Sequence, residues 1–179
     1  MQPTRVLVIE DDLIFLDTLS SILRLKLPDA QIDTADSALA SVERIRSTDY
    51  AAILCDAHQP RLEGLGFVRA VHKIRPECPV LLLLEKQHED LSRQALEAGA
   101  YDVLVRPVEE STFVFAVRRA VEVSQLRGHV KREETRFVAS VGHILHDLEV
   151  LYGAYGLRAH FEAFMDSMAG KSKGDKQAF

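Results

Sequence analysis

The chain has 179 residues, enough for one domain with a substantial core plus a small extension. A hydrophobic share of 47% and a charged share of 27% are ordinary for a soluble globular protein, and no apolar run reaches the length of a membrane span. The net charge of −5 divides into −6 over residues 1–125 and +1 over residues 126–179, so neither part is basic enough to point to nucleic acid. The N-terminus leads straight into an apolar run without a signal-peptide core, which places the protein in the cytoplasm. Of the two cysteines, Cys55 falls in a buried strand, so a structural disulfide and a cysteine metal site are both disfavoured.

The first strand is Arg5-Val-Leu-Val-Ile, ending in three acids, Glu10, Asp11 and Asp12. Asp12 is a good N-cap for a helix carrying Leu13, Leu16, Leu19 and Ile22 or Leu23 at helical spacing, ended by Pro28. Ala30–Ala35 is a short edge-type strand of mixed polarity. Asp36-Ser37 opens a second helix to about Ser47, with Leu39, Val42 and Ile45 inward. Ala51–Cys55 is a third strand, fully apolar and read as buried on both faces, with Asp56 at its carboxyl end. A third helix covers Gly64–Ile74, burying Phe67, Val68 and Val71. Val80–Leu84 is the fourth strand. Leu91, Ala95, Leu96 and Ala98 mark a fourth helix closed by Gly99. Tyr101–Val105 is the fifth strand, stopped by Pro107, and Glu109–Gln125 the fifth helix, with Phe113, Val117, Ala120 and Val121 inward.

Five strands alternating with five helices predict an α/β fold, a doubly wound parallel sheet flanked by helices, followed by a C-terminal α-helical extension. Open sheets of this kind place ligands at the carboxyl ends of strands, where Asp56 stands. If the first and third strands are parallel neighbours, four carboxylates converge on one rim. Their mutual repulsion calls for a cation, and a hard divalent ion such as Mg²⁺ suits oxygen ligands.

In this order and spacing, Val6-Leu-Val-Ile-Glu10-Asp11-Asp12, Asp56-x-x-x-Pro60 followed by Gly64, Gly99-Ala100 and Arg106-Pro107 make residues 1–125 resemble a response-regulator receiver domain. The resemblance implies strand order 2-1-3-4-5 and names Asp56 as the phosphoryl acceptor. It implies Mg²⁺ held by Asp11 and Asp56, with Glu10 through water and the backbone carbonyl of His58, and Arg106 as the charge contact to the phosphoryl group. A carboxylate is a competent nucleophile toward phosphorus, and the transfer needs mainly positioning and charge neutralisation.

The chain departs from the family pattern at three positions. Leu84 stands where a Thr or Ser hydroxyl is usual, and it cannot donate a hydrogen bond. Val103 replaces the usual aromatic switch residue. Arg106 replaces the usual Lys, keeping the charge but with a larger, planar head. Glu85 adds negative charge where a small residue is common, and His58 and Gln59 replace more typical neighbours. The acceptor and metal pocket are therefore expected intact, and the readout altered.

Residues 126–169 read as helical, a possible dimerisation or partner-binding unit, and residues 170–179 as a flexible tail. Val130, Phe137, Val141, Ile144, Leu145, Leu148, Tyr152 and Tyr155 share one stripe, interrupted by Gly153 and Gly156. Leu157, Phe161, Phe164, Met165 and Met168 form a second amphipathic segment. A second copy of the chain, the other helix, or both would cover the stripe. Arg136–His143 resembles the first helix of histidine-kinase dimerisation domains, and His146-Asp147-Leu148 a variant phosphoacceptor box, both histidines lying off the stripe. Phosphotransfer on His146, with Asp147 as proton acceptor, is a third reading beside the bland one of solvated histidines. A metal role for His143 and His146 lacks further ligands nearby.

The chain is thus read as a cytoplasmic phosphoacceptor protein rather than an enzyme. It would take phosphoryl from a histidine kinase or phosphotransfer protein, self-associate through helical surfaces, and contact neither nucleic acid nor membrane. The alternative is a scaffold that docks partners regardless of phosphate.

Overall fold

Apolar stretches without a polar break need cover on both faces of a sheet. β1 (Thr4–Ile9), β3 (Ala52–Asp56) and β4 (Val80–Glu85) are such stretches. They form the centre of an all-parallel sheet in the computed structural model, which describes residues 3–58, 64–152 and 157–174. β2 (Ala30–Ala35) and β5 (Asp102–Arg106), with Asp33, Asp102 and Arg106, take the two edges. The order is β2-β1-β3-β4-β5, as the resemblance implies.

The remaining elements of residues 1–128 are α1 (Leu13–Lys26), α2 (Ala38–Ser47), α3 (Gly64–Ile74), a 3-10 turn over Lys86–Leu91 running into α4 (Ser92–Glu97), and the start of α5 (Glu110–Tyr152). Alternate residues along each inner strand serve opposite faces. Val6, Val8, Leu54, Leu81 and Leu83 pack with Leu16, Leu19 and Leu23 of α1 and Phe113, Val117 and Ala120 of α5. Leu7, Ile9, Ile53, Val80 and Leu82 pack with Ile45 of α2, Phe67, Val68 and Val71 of α3 and Ala95 of α4. Each such burial is worth roughly 1.5–3 kcal/mol, so both layers are needed to offset the ordering of the chain.

Four local readings are corrected. Leu13 and Leu39 are exposed; α2 instead turns Ala38, Ser41 and Ile45 inward. The fourth helix is short because the polar run Lys86–Leu91 winds as a 3-10 turn before it, and Leu96 faces solvent. α5 does not end at Gln125 but runs to Tyr152. The two glycines in the added stretch, Gly128 and Gly142, each cost about 1 kcal/mol relative to Ala and do not by themselves stop a helix.

Gly99 closes α4 as expected, at φ +102. A Cβ there would stand 2.7 Å from Cε1 of His72. Gly99→Ala is expected to lower stability by about 1–3 kcal/mol, through backbone strain and the displaced imidazole. The measurement is a lower urea midpoint with an unchanged slope.

The described residues from His129 onward belong to a second compact unit. It contains the later turns of α5 and α6 (Leu157–Gly174), the latter continuing into the stretch read as tail. Val138, Gly142, His143 and His146 of α5 and Phe161 and Glu162 of α6 line a cleft of about 410 Å³. Val130, Phe137 and Ile144, seven residues apart, are all exposed. Gly153, Tyr155 and Gly156, and the side chains of Leu148, Tyr152, Leu157 and Met168, lie outside the described residues, as do Gln59 and Pro60.

Candidate functional site

The register Ile9↔Cys55 brings the ends of β1 and β3 side by side. The backbone N–H of Glu10 still donates to Ala35 O, at 3.0 Å, so Glu10 prolongs the strand direction and its side chain is 1% exposed. Asp56, the last residue of β3, is 5% exposed. Asp12 turns away: its Oδ1 accepts from the N–H groups of Ile14 and Phe15, at 2.9 and 3.1 Å, and caps α1. Among the described residues the rim therefore holds three carboxylates, not four. One ligand oxygen each from Glu10, Asp11 and Asp56 lies within 4.8 Å of the others.

Arg106, from the end of β5, reaches this rim across the sheet. Its Nη2 donates to Oε2 of Glu10 and stands 3.6 Å from Oδ1 of Asp56, while its guanidinium carbon lies 4.3 Å above the Phe15 ring. Oε1 of Glu10 accepts from the N–H of Asp12 at 3.2 Å. Asp56 accepts a hydrogen bond from the N–H of His58, but its buried Oδ1 has no hydrogen-bond partner among the described residues.

Burial pushes the carboxyl groups of both Glu10 and Asp56 above their ordinary range; the Arg106 charge pulls back against burial in each case, and does not cancel it. Cys55, enclosed behind them, has its thiol pushed well up by burial and by the two acids. A buried carboxylate oxygen without a donor, beside two further carboxylates, fits a hard divalent cation.

Leu84 and Val103 lie on β4 and β5. Leu84 is buried and pairs in register with Val105; half-buried Val103 pairs with Leu82. Neither brings a hydroxyl or an aromatic ring to the rim. Glu85 is in register with Arg106, and accepts from the Gln87 amide. Sequence reading missed the stacking of His58 on His88, with ring centroids 4.9 Å apart. It also missed a cleft of about 630 Å³ bounded by Phe15, Leu19, Ile22, Arg106, Val108 and Phe113. His143, His146 and Asp147 are exposed, and belong to the second unit.

A doubly wound sheet with an acidic rim at the carboxyl ends of β1 and β3 places the protein among α/β proteins that carry their site at the strand-order reversal. The family model for the response regulator receiver domain matches residues 6–118, and the chain belongs to that family, the receiver domains of two-component systems. It is 31% identical over 130 residues to the C4-dicarboxylate transport transcriptional regulatory protein DctD of Pseudomonas aeruginosa, covering 69% of this chain and 26% of the relative. It is 29% identical over 108 residues to protein-glutamate methylesterase/protein-glutamine glutaminase 1 of Geobacter metallireducens, covering 59% and 30%. The chain thus spans under a third of the length of these curated relatives. A response regulator receiver domain protein from Clostridium thermocellum superposes with a TM-score of 0.64 at 23% identity, covering 69% of this chain and 98% of that one. The receiver domain of NtrX from Brucella abortus gives 0.60 at 24%, covering 65% and 98%. No helix among the described residues is long and apolar enough to cross a membrane.

Proposed function

We propose that the protein is a phosphoacceptor of a two-component phosphorelay in the cytoplasm, with Asp56 as the acceptor, Asp11 and Asp56 as direct Mg²⁺ ligands, Glu10 acting through water, and the His58 carbonyl completing the set. The observation that carries this reading is the buried Asp56 Oδ1, which no donor among the described residues satisfies, at the meeting point of three carboxylates. An Asp56 oxygen forms the new bond to phosphorus as the bond to the donor breaks, and the leaving group departs with its electron pair. That leaving group is an imidazole from a phosphohistidine kinase or phosphotransfer protein, or acetate from acetyl phosphate. Mg²⁺, when bound, supplies neutralisation of the charge that builds on the phosphoryl oxygens. Among the described residues Arg106 is the cation that reaches the rim, and it contacts the phosphoryl group once it moves from Glu10.

The extension is the natural route to self-association. Exposed Val130, Phe137 and Ile144 repeat every seven residues, the spacing of a helical seam that a second copy can cover with the same residues. The scaffold reading draws on Leu84 and Val103, which leave the rim without the usual hydroxyl and aromatic readout. Phosphotransfer on His146, with Asp147 beside it, rests on sequence likeness and exposure alone.

Intact-mass measurement after incubation with Mg²⁺ and acetyl phosphate tests the proposal, with sizing chromatography before and after adding beryllofluoride. The phosphorelay reading expects one phosphoryl adduct per chain and a shifted elution. Absence of any adduct together with an unchanged elution volume would favour the scaffold.

A further inference from the structure

We propose that Arg106 is a built-in counter-ion that holds the carboxylate rim closed against divalent cations, so that a metal enters only when the guanidinium leaves Glu10. The inference rests on the reading of Glu10, Asp11 and Asp56 as a metal site.

Three contacts carry it. One nitrogen, Nη2, serves both buried acids: it donates to Glu10 Oε2 and faces Asp56 Oδ1 at 3.6 Å. That Asp56 oxygen is the one without a hydrogen-bond partner among the described residues, hence the one a cation would take. The guanidinium plane is also held from outside by the Phe15 ring at 4.3 Å, a cation–π contact that favours Arg over a compact ammonium. A divalent ion at Asp56 Oδ1 would therefore meet a fixed positive charge within a few ångströms, in surroundings dry enough for the repulsion to count. Glu10 meanwhile has both oxygens engaged, one by Arg106 and one by the Asp12 N–H. The closed arrangement and the loaded one compete for the same oxygens.

A ligand that binds only a minor open state has its apparent affinity reduced by the population of that state. A closed rim favoured about ten to one weakens cation binding about tenfold. Neutralising Arg106 would strengthen binding by simple charge removal in any acidic site, so Arg106→Gln alone decides nothing. Arg106→Lys keeps the charge and the hydrogen-bonding ability, but a single ammonium cannot spread over Phe15 while bonded to Glu10.

The test is Mn²⁺ binding, followed by the electron paramagnetic resonance signal of the free ion, for the wild type, Arg106→Lys, Arg106→Gln, Phe15→Leu and Asp11→Asn. Closure by Arg106 expects Arg106→Lys and Phe15→Leu to bind about tenfold more tightly than wild type, and Arg106→Gln at least as tightly as these. Equal affinity in wild type, Arg106→Lys and Phe15→Leu, with Asp11→Asn weaker, overturns the closure and leaves the metal site standing. Binding that is absent in every variant, or unaffected by Asp11→Asn, removes the metal site and the closure with it.

Discussion

Asp56→Asn is expected to abolish phosphoryl uptake from acetyl phosphate and, in the same protein, to raise stability at neutral pH. The first effect follows from chemistry: an amide of nearly equal shape offers no nucleophilic oxygen for phosphorus. The second follows from burial. The Asp56 carboxyl titrates above its ordinary value because it is enclosed, and neither Arg106 nor the His58 N–H fully compensates. A carboxyl whose folded-state value is raised binds its proton more tightly in the folded chain than in the unfolded one. Its contribution to stability is therefore complete below the unfolded value of about 3.8, and is lost as pH rises through the folded value. At pH 7, without a divalent ion, the ionised side chain opposes folding, by about 1.4 kcal/mol for each tenfold change in proton affinity. Asparagine removes that opposition while leaving the Glu10–Arg106 pair in place. Urea midpoints without divalent ions should show the variant ahead at pH 7, with the lead shrinking as pH falls toward 4. A variant less stable than wild type at pH 7 would mean that Asp56 is better paired than its environment indicates.

Phe67→Ala is expected to cost about 3–5 kcal/mol, a large part of the roughly 5–15 kcal/mol that holds an ordinary domain together. Phe67 is fully buried from α3 against the β3–β4 side of the sheet, amid Ile53, Val71, Val80 and Leu82. Phe113→Ala should cost less, although Phe113 is almost as buried. Its ring borders the cleft beside Phe15 and Arg106, so the space it leaves opens toward solvent and can fill with water. Paired chemical denaturation of the two variants measures the difference. A larger loss for Phe113→Ala would show that the cleft side is the tighter of the two cores.

The sheet was readable because β1, β3 and β4 are unbroken apolar runs, and only a strand buried on both faces tolerates such a run. Glu10, Asp11 and Asp56 were readable because each ends or follows one of those runs, so that parallel pairing alone brings them together. Asp12 was double-valued in the sequence: a rim acid by position and a helix cap by chemistry, and the two N–H groups of α1 took it. The Arg106–Glu10 pair joins residues 96 positions apart and depends on which acid the guanidinium reaches first, which no local pattern encodes. The His58–His88 stack likewise depends on how two separate loops come to rest. The unbroken α5 was read as two segments meeting near Gln125, because the inward stripe of Phe113, Val117 and Val121 gives way there to a different one, whereas helix continuity is decided by the summed preference of many neighbours.

Val80-Leu-Leu-Leu-Leu84 is an uncharged stretch with strong cohesion, and on one side only the five residues of β5 cover its backbone. The opposite margin, β2, is defended differently: Asp33 is engaged by Arg5, Arg44 and the Tyr50 hydroxyl, which discourages another strand from adding there. Stress that peels away β5 would bare a segment suited to stacking between molecules, so aggregation of this protein should begin at the β4 margin rather than at β2.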